Sequence, residues 1–179
     1  MVILGIDPGL GATGYGVVAA DGERLRLITA GDIRPRKQDP LAERLEFLHR
    51  ALAELVTRQQ PDVIVLEMLY THHEHVTTAA MMGHARGVAC LVSRQRGLPL
   101  VEYPPNRVKK AVTGHGIASK DQVARMVARW IGASDPSWSY DATDALALAV
   151  AHAHMHLQPH QTALQELLTR RGRPLRTRS

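Results

Sequence analysis

The stretch Ile3-Leu4-Gly5-Ile6-Asp7-Pro8-Gly9 decides the fold, because it joins a strand-like apolar run to an abrupt polar end. A short run of β-forming residues is typical of a buried strand. Pro8 has no N–H to donate, so the strand ends there, and the glycines at 9, 11, 14 and 16 permit a tight turn and close backbone approach. Asp7 at the strand end is either the cap of that turn or part of a ligand site.

Length and composition indicate one globular domain. The chain has 179 residues, of which 45% are hydrophobic and 22% charged. No apolar run approaches the roughly 20 residues that span a bilayer, and the N-terminus lacks a basic n-region and a cleavage site. The single cysteine, Cys90, cannot form an internal disulfide, and its apolar surroundings predict a buried thiol. We therefore expect a cytoplasmic protein that does not associate with a membrane.

The positive charge of the chain is concentrated at its C-terminal end. The net charge is +5, but five arginines and a single acid, Glu166, follow residue 157. Residues 1–157 contain 17 basic and 16 acidic residues, so their net charge is only +1. We predict a folded domain over residues 1–157 and a flexible basic tail over 158–179 that contacts phosphates non-specifically.

The N-terminal half predicts an antiparallel meander followed by a helix. Residues 13–20 and 24–33 have strand composition, and Asp21-Gly22 between them is a hairpin signal. Asp39 then fits a helix N-cap with Pro40 at the first helical position, and five leucines between 41 and 55 form one apolar stripe.

A second buried strand also ends on an acid. Residues 62–67 form an apolar run that closes with Glu67, and its position after a helix predicts a parallel strand. If this strand adjoins the first, Asp7 and Glu67 lie at the same sheet edge, where ligands bind in open α/β sheets. Like charges so placed repel one another unless a cation joins them, and a hard cation with oxygen ligands is the simplest solution.

The segment 68–95 predicts a polar loop and a long helix. The loop contains three histidines between residues 72 and 75, but no matching ligand pair supports a zinc site. Tyr70 either packs on the core or offers a platform on which a base stacks. The helix 76–95 is apolar around most of its circumference, so it is either a central core helix or part of a dimer interface. Gly83 and Gly87 allow close approach of another helix.

A third parallel strand over 98–103 precedes a series of basic residues. Arg107, Lys109 and Lys110 fall in a short helix or turn, and Ser119 with Gln122 forms a capping box that opens another helix. Lys120 in its first turn is either a solvated surface lysine or a phosphate-binding group, and the other basic residues extend the same positive strip.

The last predicted helix, which starts at Tyr140, supplies two more acids. Asp141 and Asp144 are three residues apart and share a face, and Asp144 needs a partner because the same face continues towards the core. His152, four residues before His156, is expected to be a satisfied helix-end residue that could also pair with it. With the acids at the two strand ends, four carboxylates can hold two divalent ions for in-line phosphoryl displacement.

This order of elements is that of an α/β, ribonuclease-H-like fold, with a mixed sheet of three antiparallel and two parallel strands flanked by helices. Three blocks of the sequence resemble the RuvC family of Holliday junction resolvases. They are Leu4-Gly5-Ile6-Asp7-Pro8-Gly9 with Thr13-Gly14-Tyr15-Gly16, then Gly83-His84-Ala85-Arg86-Gly87-Val88-Ala89, then Asp141-Ala142-Thr143-Asp144-Ala145-Leu146-Ala147.

The resemblance implies a structure-specific endonuclease of recombination and repair that resolves four-way DNA junctions by paired symmetric nicks. It implies a homodimer, a partner branch-migration complex of RuvA and RuvB, and Mg²⁺ as the usual ion, with Mn²⁺ as a possible substitute. The catalytic metal ligands that it implies are Asp7, Glu67, Asp141 and Asp144. Lys109 and Lys120 match functional lysines of the family, and Tyr70 matches an aromatic residue at the junction centre.

The sequence departs from the family pattern in the loop after the second strand. Met68 stands where the family commonly has Gln, and residues 71–75 differ as well, which leaves the cleavage preference open. Three alternatives remain: a YqgF-like nuclease of ribosomal RNA maturation, an actin-like kinase or ATPase, and a non-catalytic junction-binding module. The last acidic block argues against the first, the chain length against the second, and the four acids against the third.

Overall fold

The structure, a computed structural model, describes residues 1–68, 76–133 and 137–157. Its strands and helices follow in chain order as β1 (Val2–Asp7), β2 (Thr13–Asp21), β3 (Arg24–Ile33), α1 (Leu41–Gln59), β4 (Val63–Glu67), α2 (Val76–Gln95), β5 (Leu100–Tyr103), α3 (Pro105–Thr113), α4 (Lys120–Trp130) and α5 (Tyr140–Leu157). The strands form one sheet of order β3-β2-β1-β4-β5. The first three pair antiparallel, and β1, β4 and β5 pair parallel, which confirms the predicted mixed sheet.

Side-chain alternation along the strands divides the core into two layers. Ile3 of β1 packs with residues of α3, α4 and α5 on one face of the sheet. Leu4 and Ile6 pack with α1 and α2 on the other. Because successive residues of a strand point to opposite faces, Gly5 and Asp7 share the face of Ile3, which α5 covers.

Three glycines let α5 lie directly on the sheet. A Cβ on Gly5 would overlap the carbonyl of Ala145, and one on Gly14 would overlap the carbonyl of Asp141. A Cβ on Gly16 would lie 2.7 Å from the side chain of Leu146. The glycine-rich opening therefore serves helix packing on β1 and β2 as well as the turn between these strands.

The turn after β1 is held by polar contacts. The buried Thr13 hydroxyl donates to the carbonyl of Gly9 at 2.7 Å, and a guanidinium nitrogen of Arg44 on α1 donates to the carbonyl of Leu10 at 2.8 Å. These contacts fix the path of the chain immediately beyond Asp7.

Several predicted boundaries need correction. Helix α1 begins at Leu41, and Pro40, with φ −52° and ψ 152°, occupies the cap position predicted for Asp39. Proline fixes φ but leaves ψ free, so it can adopt the extended cap conformation, and its carbonyl accepts the Arg44 N–H at 3.1 Å. Strand β2 extends to Asp21, so the hairpin loop is Gly22-Glu23, with φ +55° at Gly22.

Within the described residues only one face of helix α2 is covered, so α2 does not lie at the centre of the core that they form. Ala85 and Ala89 are buried against the sheet, whereas Leu91 is 50% exposed. A Cβ added to Gly83 or Gly87 would meet no atom within 4 Å, so no helix packs closely on them in the described residues.

Two further expectations about burial and membrane association can be compared with the structure. Cys90 on the flank of α2 is half-buried, so the prediction of a buried thiol is wrong. None of the helices in the described ranges combines the length and apolar character needed to cross a bilayer.

Candidate active site

Asp7 and Glu67 end neighbouring parallel strands at the same edge and on the same face of the sheet. Ile6 of β1 lies beside Leu66 of β4, so the two acids that follow are level with each other. Val65, two residues before Glu67, packs in the layer under α5, and alternation therefore directs Glu67 to that layer too. The prediction that both acids share one sheet edge is confirmed.

The first turn of α5 brings the other two acids to this edge. Gly14 pairs with Asp7 in the β1–β2 ladder, and its missing side chain admits the backbone of Asp141. Asp144 lies one turn further along α5, on the same side of the helix. Close packing at a single glycine thus juxtaposes strand ends and a helix start that are distant in sequence.

The electrostatics of Asp7 show that the four acids lie near one another. Burial and the charges of Asp144, Glu67 and Asp141 together raise the pKa of Asp7 to about 7, against an opposing effect of Lys120. Burial and the charge of Asp144 also raise the pKa of Glu67, while Lys120 and Lys109 oppose this effect. The cluster therefore holds negative charge under strong mutual repulsion.

Among the described residues, Lys120 is the cation in direct contact with the cluster. Its ammonium donates to the Asp144 carboxylate at 3.0 Å, and this hydrogen bond raises the pKa of Lys120. The predicted capping box is confirmed: Ser119 accepts the Gln122 N–H at 3.2 Å, and the Gln122 side chain accepts the Ser119 N–H at 2.8 Å. The capped start of α4 thus points Lys120 at the acidic edge.

The donor set suits a hard divalent cation. All four side chains offer carboxylate oxygens, and Mg²⁺ usually binds one or two carboxylates together with water and substrate phosphates. No three His, Cys, Asp or Glu side chains within the described ranges lie close enough to enclose one ion by themselves. The residues therefore fit an open site completed by substrate, and they do not fit a closed protein cage.

The structure locates some, but not all, of the other residues that are predicted to contact nucleic acid. Lys109 lies within electrostatic range of Glu67. The Arg107 guanidinium lies 5.9 Å from the centroid of the Tyr103 ring, beside the strand that adjoins Glu67. Lys110 is exposed on α3. Tyr70 and the histidine-rich segment lie outside the described residues, as does the basic tail over 158–179.

Sequence reasoning assigned no role to Arg86, which supports the backbone at Glu67. One guanidinium nitrogen donates to the Glu67 carbonyl at 2.7 Å, and the other pairs with the Glu102 carboxylate on β5. An arginine in an otherwise small and apolar stretch of α2 was the available signal, because a charge facing a core needs partners.

Sequence reasoning also underestimated His152, which is not at a helix end. It is 2% exposed inside α5, and its Nδ1 lies 2.9 Å from the Tyr103 hydroxyl. Burial and the charge of His156 lower the pKa of His152 to about 4. It is thus a neutral and satisfied core residue, and its ring centroid lies 4.3 Å from that of His156, which confirms the pairing of the two side chains.

A mixed five-stranded sheet with acids at two adjacent strand ends and at the start of the covering helix defines the class of ribonuclease-H-like nucleases. The family model for "Crossover junction endodeoxyribonuclease RuvC" matches residues 3–152. The chain therefore belongs to the RuvC family. Membership implies a divalent metal ion as cofactor.

Individual relatives agree with this assignment. The chain is 43% identical to the RuvC of Rhodopirellula baltica over 146 residues, which cover 82% of each chain. It is 46% identical to the RuvC of Halorhodospira halophila over 145 residues, which cover 81% of this chain and 85% of the relative. Among solved structures, Thermus thermophilus RuvC in complex with a Holliday junction substrate matches with a TM-score of 0.80 and 34% identity, over 88% of this chain and 95% of that one.

Proposed function

We propose that this protein is a structure-specific endonuclease that resolves four-way DNA junctions by hydrolysing phosphodiester bonds in recombination and repair. The single observation that supports the chemistry most is the half-buried Asp7, whose pKa is raised to about 7 among three further carboxylates. Such a cluster costs stability unless cations and a phosphate substrate complete it. The junction substrate is supported by the T. thermophilus relative, which was solved in complex with one.

Asp7, Glu67, Asp141 and Asp144 are the residues that we expect to hold two Mg²⁺ ions, with Mn²⁺ as a possible substitute. Bound ions would activate water and stabilise the attacking and leaving oxygens of an in-line displacement. Their charge would also cancel the repulsion between the carboxylates and a polyanionic strand. Asp7 must release its proton to serve as a ligand, so the Mg²⁺ concentration for half-maximal cleavage should fall as the pH rises towards the raised pKa of about 7 in the metal-free protein.

The basic residues would align the scissile strand. Lys120 bonds Asp144 and stands at the N-terminus of α4, where backbone N–H groups favour a phosphate. Lys109 is positioned to contact a neighbouring phosphate because it lies within electrostatic range of Glu67. Arg107 and Lys110 would extend this positive strip along α3. Tyr70 would stack on a base near the junction centre.

We also propose a homodimer, because paired symmetric nicks need two active sites. The exposed face of α2 combines Gly87 and Leu91 with the neighbouring His84 and Arg94, a mixture of apolar and polar groups that suits an isologous interface. Leu91→Glu should convert the dimer to a monomer in analytical ultracentrifugation and uncouple the two nicks. Leu41→Glu, at an exposed position on α1, is the matched control and should leave the dimer intact. A dimeric Leu91→Glu protein would exclude this interface.

Three substrates separate the proposed activity from its alternatives. The purified protein with Mg²⁺ should cut a synthetic four-way junction in preference to a linear duplex and a structured RNA. Preferential cutting of the RNA would instead support a YqgF-like role in ribosomal RNA maturation. Binding of the junction without cutting under any divalent ion would indicate a non-catalytic binding module.

The cellular setting follows from the same proposal. Because its relatives are bacterial junction endonucleases, we expect the protein to act in the cytoplasm together with the branch-migration complex of RuvA and RuvB. Residues 1–157 would form the nuclease domain, and the five arginines of 158–179 would supply a non-specific phosphate contact.

A further inference from the structure

Asp32 lies in the same row of the sheet as Asp7. Asp7 of β1 pairs with Gly14 of β2, and Gly14 pairs with Asp32 of β3. Residues that lie directly opposite each other on neighbouring strands point to the same face, so Asp32 faces the layer of α5. Unlike Asp7, it is separated from the strand of Glu67 by two intervening strands, and it does not contribute to the raised pKa of either acid.

Hydrogen bonds connect Asp32 to the start of α5. One carboxylate oxygen accepts the Ser139 hydroxyl proton at 2.6 Å, although the two residues are 107 positions apart in the chain. The Ser139 oxygen in turn accepts the N–H of Ala142 at 3.0 Å, which caps the helix. The Ser139 carbonyl accepts the hydroxyl of Thr143 at 2.8 Å. Ser139 is thereby bonded to the sheet on one side and to the first turn of α5 on the other.

Arg34 occupies the second oxygen of Asp32. Its guanidinium donates to that oxygen at 2.8 Å, and the Asp32 side chain is only 16% exposed while that of Arg34 is 59% exposed. Both carboxylate oxygens are therefore engaged, one by a cation and one by a hydroxyl. This pairing distinguishes Asp32 from the four acids of the candidate active site and makes it unsuited to bind a metal ion.

We propose that Asp32 and Ser139 are positioning residues that hold the first turn of α5, and with it Asp141, beside Asp7. This inference rests on the proposed function, because it assigns a catalytic purpose to the position of Asp141. The need for such a contact is physical. Asp141 and Asp7 repel each other, and the glycine beneath Asp141 offers no side chain that could hold the helix in place.

The contact is well placed for this task. Side-chain hydrogen bonds in the described residues join α5 and its cap to the sheet at two positions, Ser139–Asp32 and His152–Tyr103. The second lies about three turns further along the helix, too far from Asp141 to control its position. The Asp32–Ser139 pair therefore determines where the acidic turn lies above the sheet.

The test compares Asp32→Ala with a matched control, Asp62→Ala. Asp62 also accepts a hydrogen bond at 2.6 Å, from the Val2 N–H, but at the opposite edge of the same sheet. In the metal-free protein, Asp32→Ala should accelerate amide hydrogen exchange at Ala142 and Thr143 at least about tenfold. In the complete enzyme it should raise the Mg²⁺ concentration for half-maximal junction cleavage by about tenfold. Junction affinity without metal should stay within about twofold of the wild type.

Two further variants separate positioning from a general effect on folding. Asp32→Asn keeps an oxygen that accepts the Ser139 hydroxyl proton, so its exchange and Mg²⁺ requirement should remain closer to the wild type than those of Asp32→Ala. Ser139→Ala removes the hydrogen bond to Asp32 and the capping bond from the Ala142 N–H. It should therefore raise the Mg²⁺ requirement at least as much as Asp32→Ala. Should Asp32→Ala fail to fold, these two variants decide the question by the same comparison.

Specific results would overturn the proposal. An Mg²⁺ requirement equal to that of Asp62→Ala would show that Asp32 only stabilises the fold, even if exchange at Ala142 were faster. Unchanged exchange in Asp32→Ala would show that Asp32 does not hold the helix start. Absence of junction cleavage by the wild-type protein would refute the proposed function instead, while the exchange measurement would still test the mechanical role of Asp32.

Discussion

An aspartate lies at each end of the central strands β1 and β4, and the surroundings of the two side chains differ. One accepts a hydrogen bond, and the other lies near three further acids. Asp62, just before β4, accepts the N–H of Val2 at 2.6 Å and so ties the starts of β1 and β4 together. Asp7, at the other end of β1, is half-buried near three further acids, with the Lys120 ammonium bound to one of them. Among the described residues, the Asp62 carboxylate has a hydrogen-bond partner and the Asp7 carboxylate has none.

The difference shows which end of the sheet lowers the stability of the fold. A bonded carboxylate at a strand start strengthens the connection between two strands, whereas clustered acids repel one another and resist ionisation. A fold under no functional constraint would not bring four acids together at one edge, because each adds repulsion and, in the described residues, only Asp144 has a side-chain partner, Lys120. The acidic edge is therefore the part of the molecule that stability alone does not explain.

The largest expected effect follows from neutralising the acidic edge. Asp7→Asn should reduce junction cleavage by roughly a thousandfold, since losing about 4 kcal/mol of metal-supplied stabilisation corresponds to that factor. Junction binding, measured by electrophoretic mobility shift, should remain within about threefold. Asp62→Ala is the control at the other edge and should cleave at the normal rate. Normal cleavage by Asp7→Asn would refute the assignment of Asp7 to the metal site.

The pH dependence of stability should reveal the same contrast. The folded pKa of Asp7 is about 7, compared with 3.8 when unfolded. Between these values the folded state retains a proton that the unfolded state releases, so the stability of the metal-free protein should fall as pH rises from about 4 to 7. The loss is at most about 4 kcal/mol, at about 1.4 kcal/mol per pKa unit.

Urea unfolding of the metal-free protein at pH 5 and pH 8 would measure this loss. Asp7→Asn should lose less stability between the two pH values than the wild type. The lowered pKa of His152 acts in the opposite direction over part of the range, but equally in both proteins, so their difference isolates Asp7. Parallel stability profiles for the two proteins would contradict the raised pKa.

A smaller effect is expected when the cation at the acidic edge is removed. Lys120→Gln should slow cleavage by about tenfold to a hundredfold, because Asp144 loses its partner and a phosphate loses its contact. The salt dependence of junction binding should also weaken by about one unit of slope. Arg58→Gln, which removes a positive charge from the last turn of α1, should change neither quantity. If Lys120→Gln cleaved at the normal rate, Lys120 would be a solvated surface residue with no role in cleavage.

The smallest expected effect is at the end of the sheet where Asp62 accepts the hydrogen bond from Val2. Asp62→Ala should lower the free energy of unfolding by about 1 kcal/mol, the usual value of one hydrogen bond, as measured by urea unfolding in the presence of Mg²⁺. A loss of cleavage in this variant, with the folded fraction unchanged, would mean that the two edges of the sheet are not independent.

Much of this edge could be predicted from local sequence. Apolar runs that stop at Asp7 and Glu67 gave the strand ends, and a three-residue spacing placed Asp141 and Asp144 on one side of a helix. The capping box at Ser119 was also predictable, because capping depends on residues three apart. Patterns between residues only a few positions apart depend on the periodicity of the strand or helix, and not on how the rest of the chain folds.

Other features could not be read from local patterns. The apolar circumference of α2 predicted burial on several sides, but Leu91 and Gly87 are exposed in this chain. Pro40, and not Asp39, occupies the cap position of α1. Proline fixes φ but not ψ, and the path of the preceding loop sets ψ at Pro40 to an extended value. The contact of Asp32 with Ser139 joins residues with no shared pattern, so only the folded chain reveals it.

The sequence by itself therefore determined which strands end on acids, which acids share a helix face and which family blocks are present. Only the tertiary structure decided that Asp7, Glu67, Asp141 and Asp144 face one another on a single side of the sheet. The reason is physical: strand and helix periodicity depend on neighbours a few residues apart, whereas the charge felt by Asp7 depends on spatial distance. That short distance is possible because Gly14 has no side chain, so the first turn of α5 can rest directly on β2.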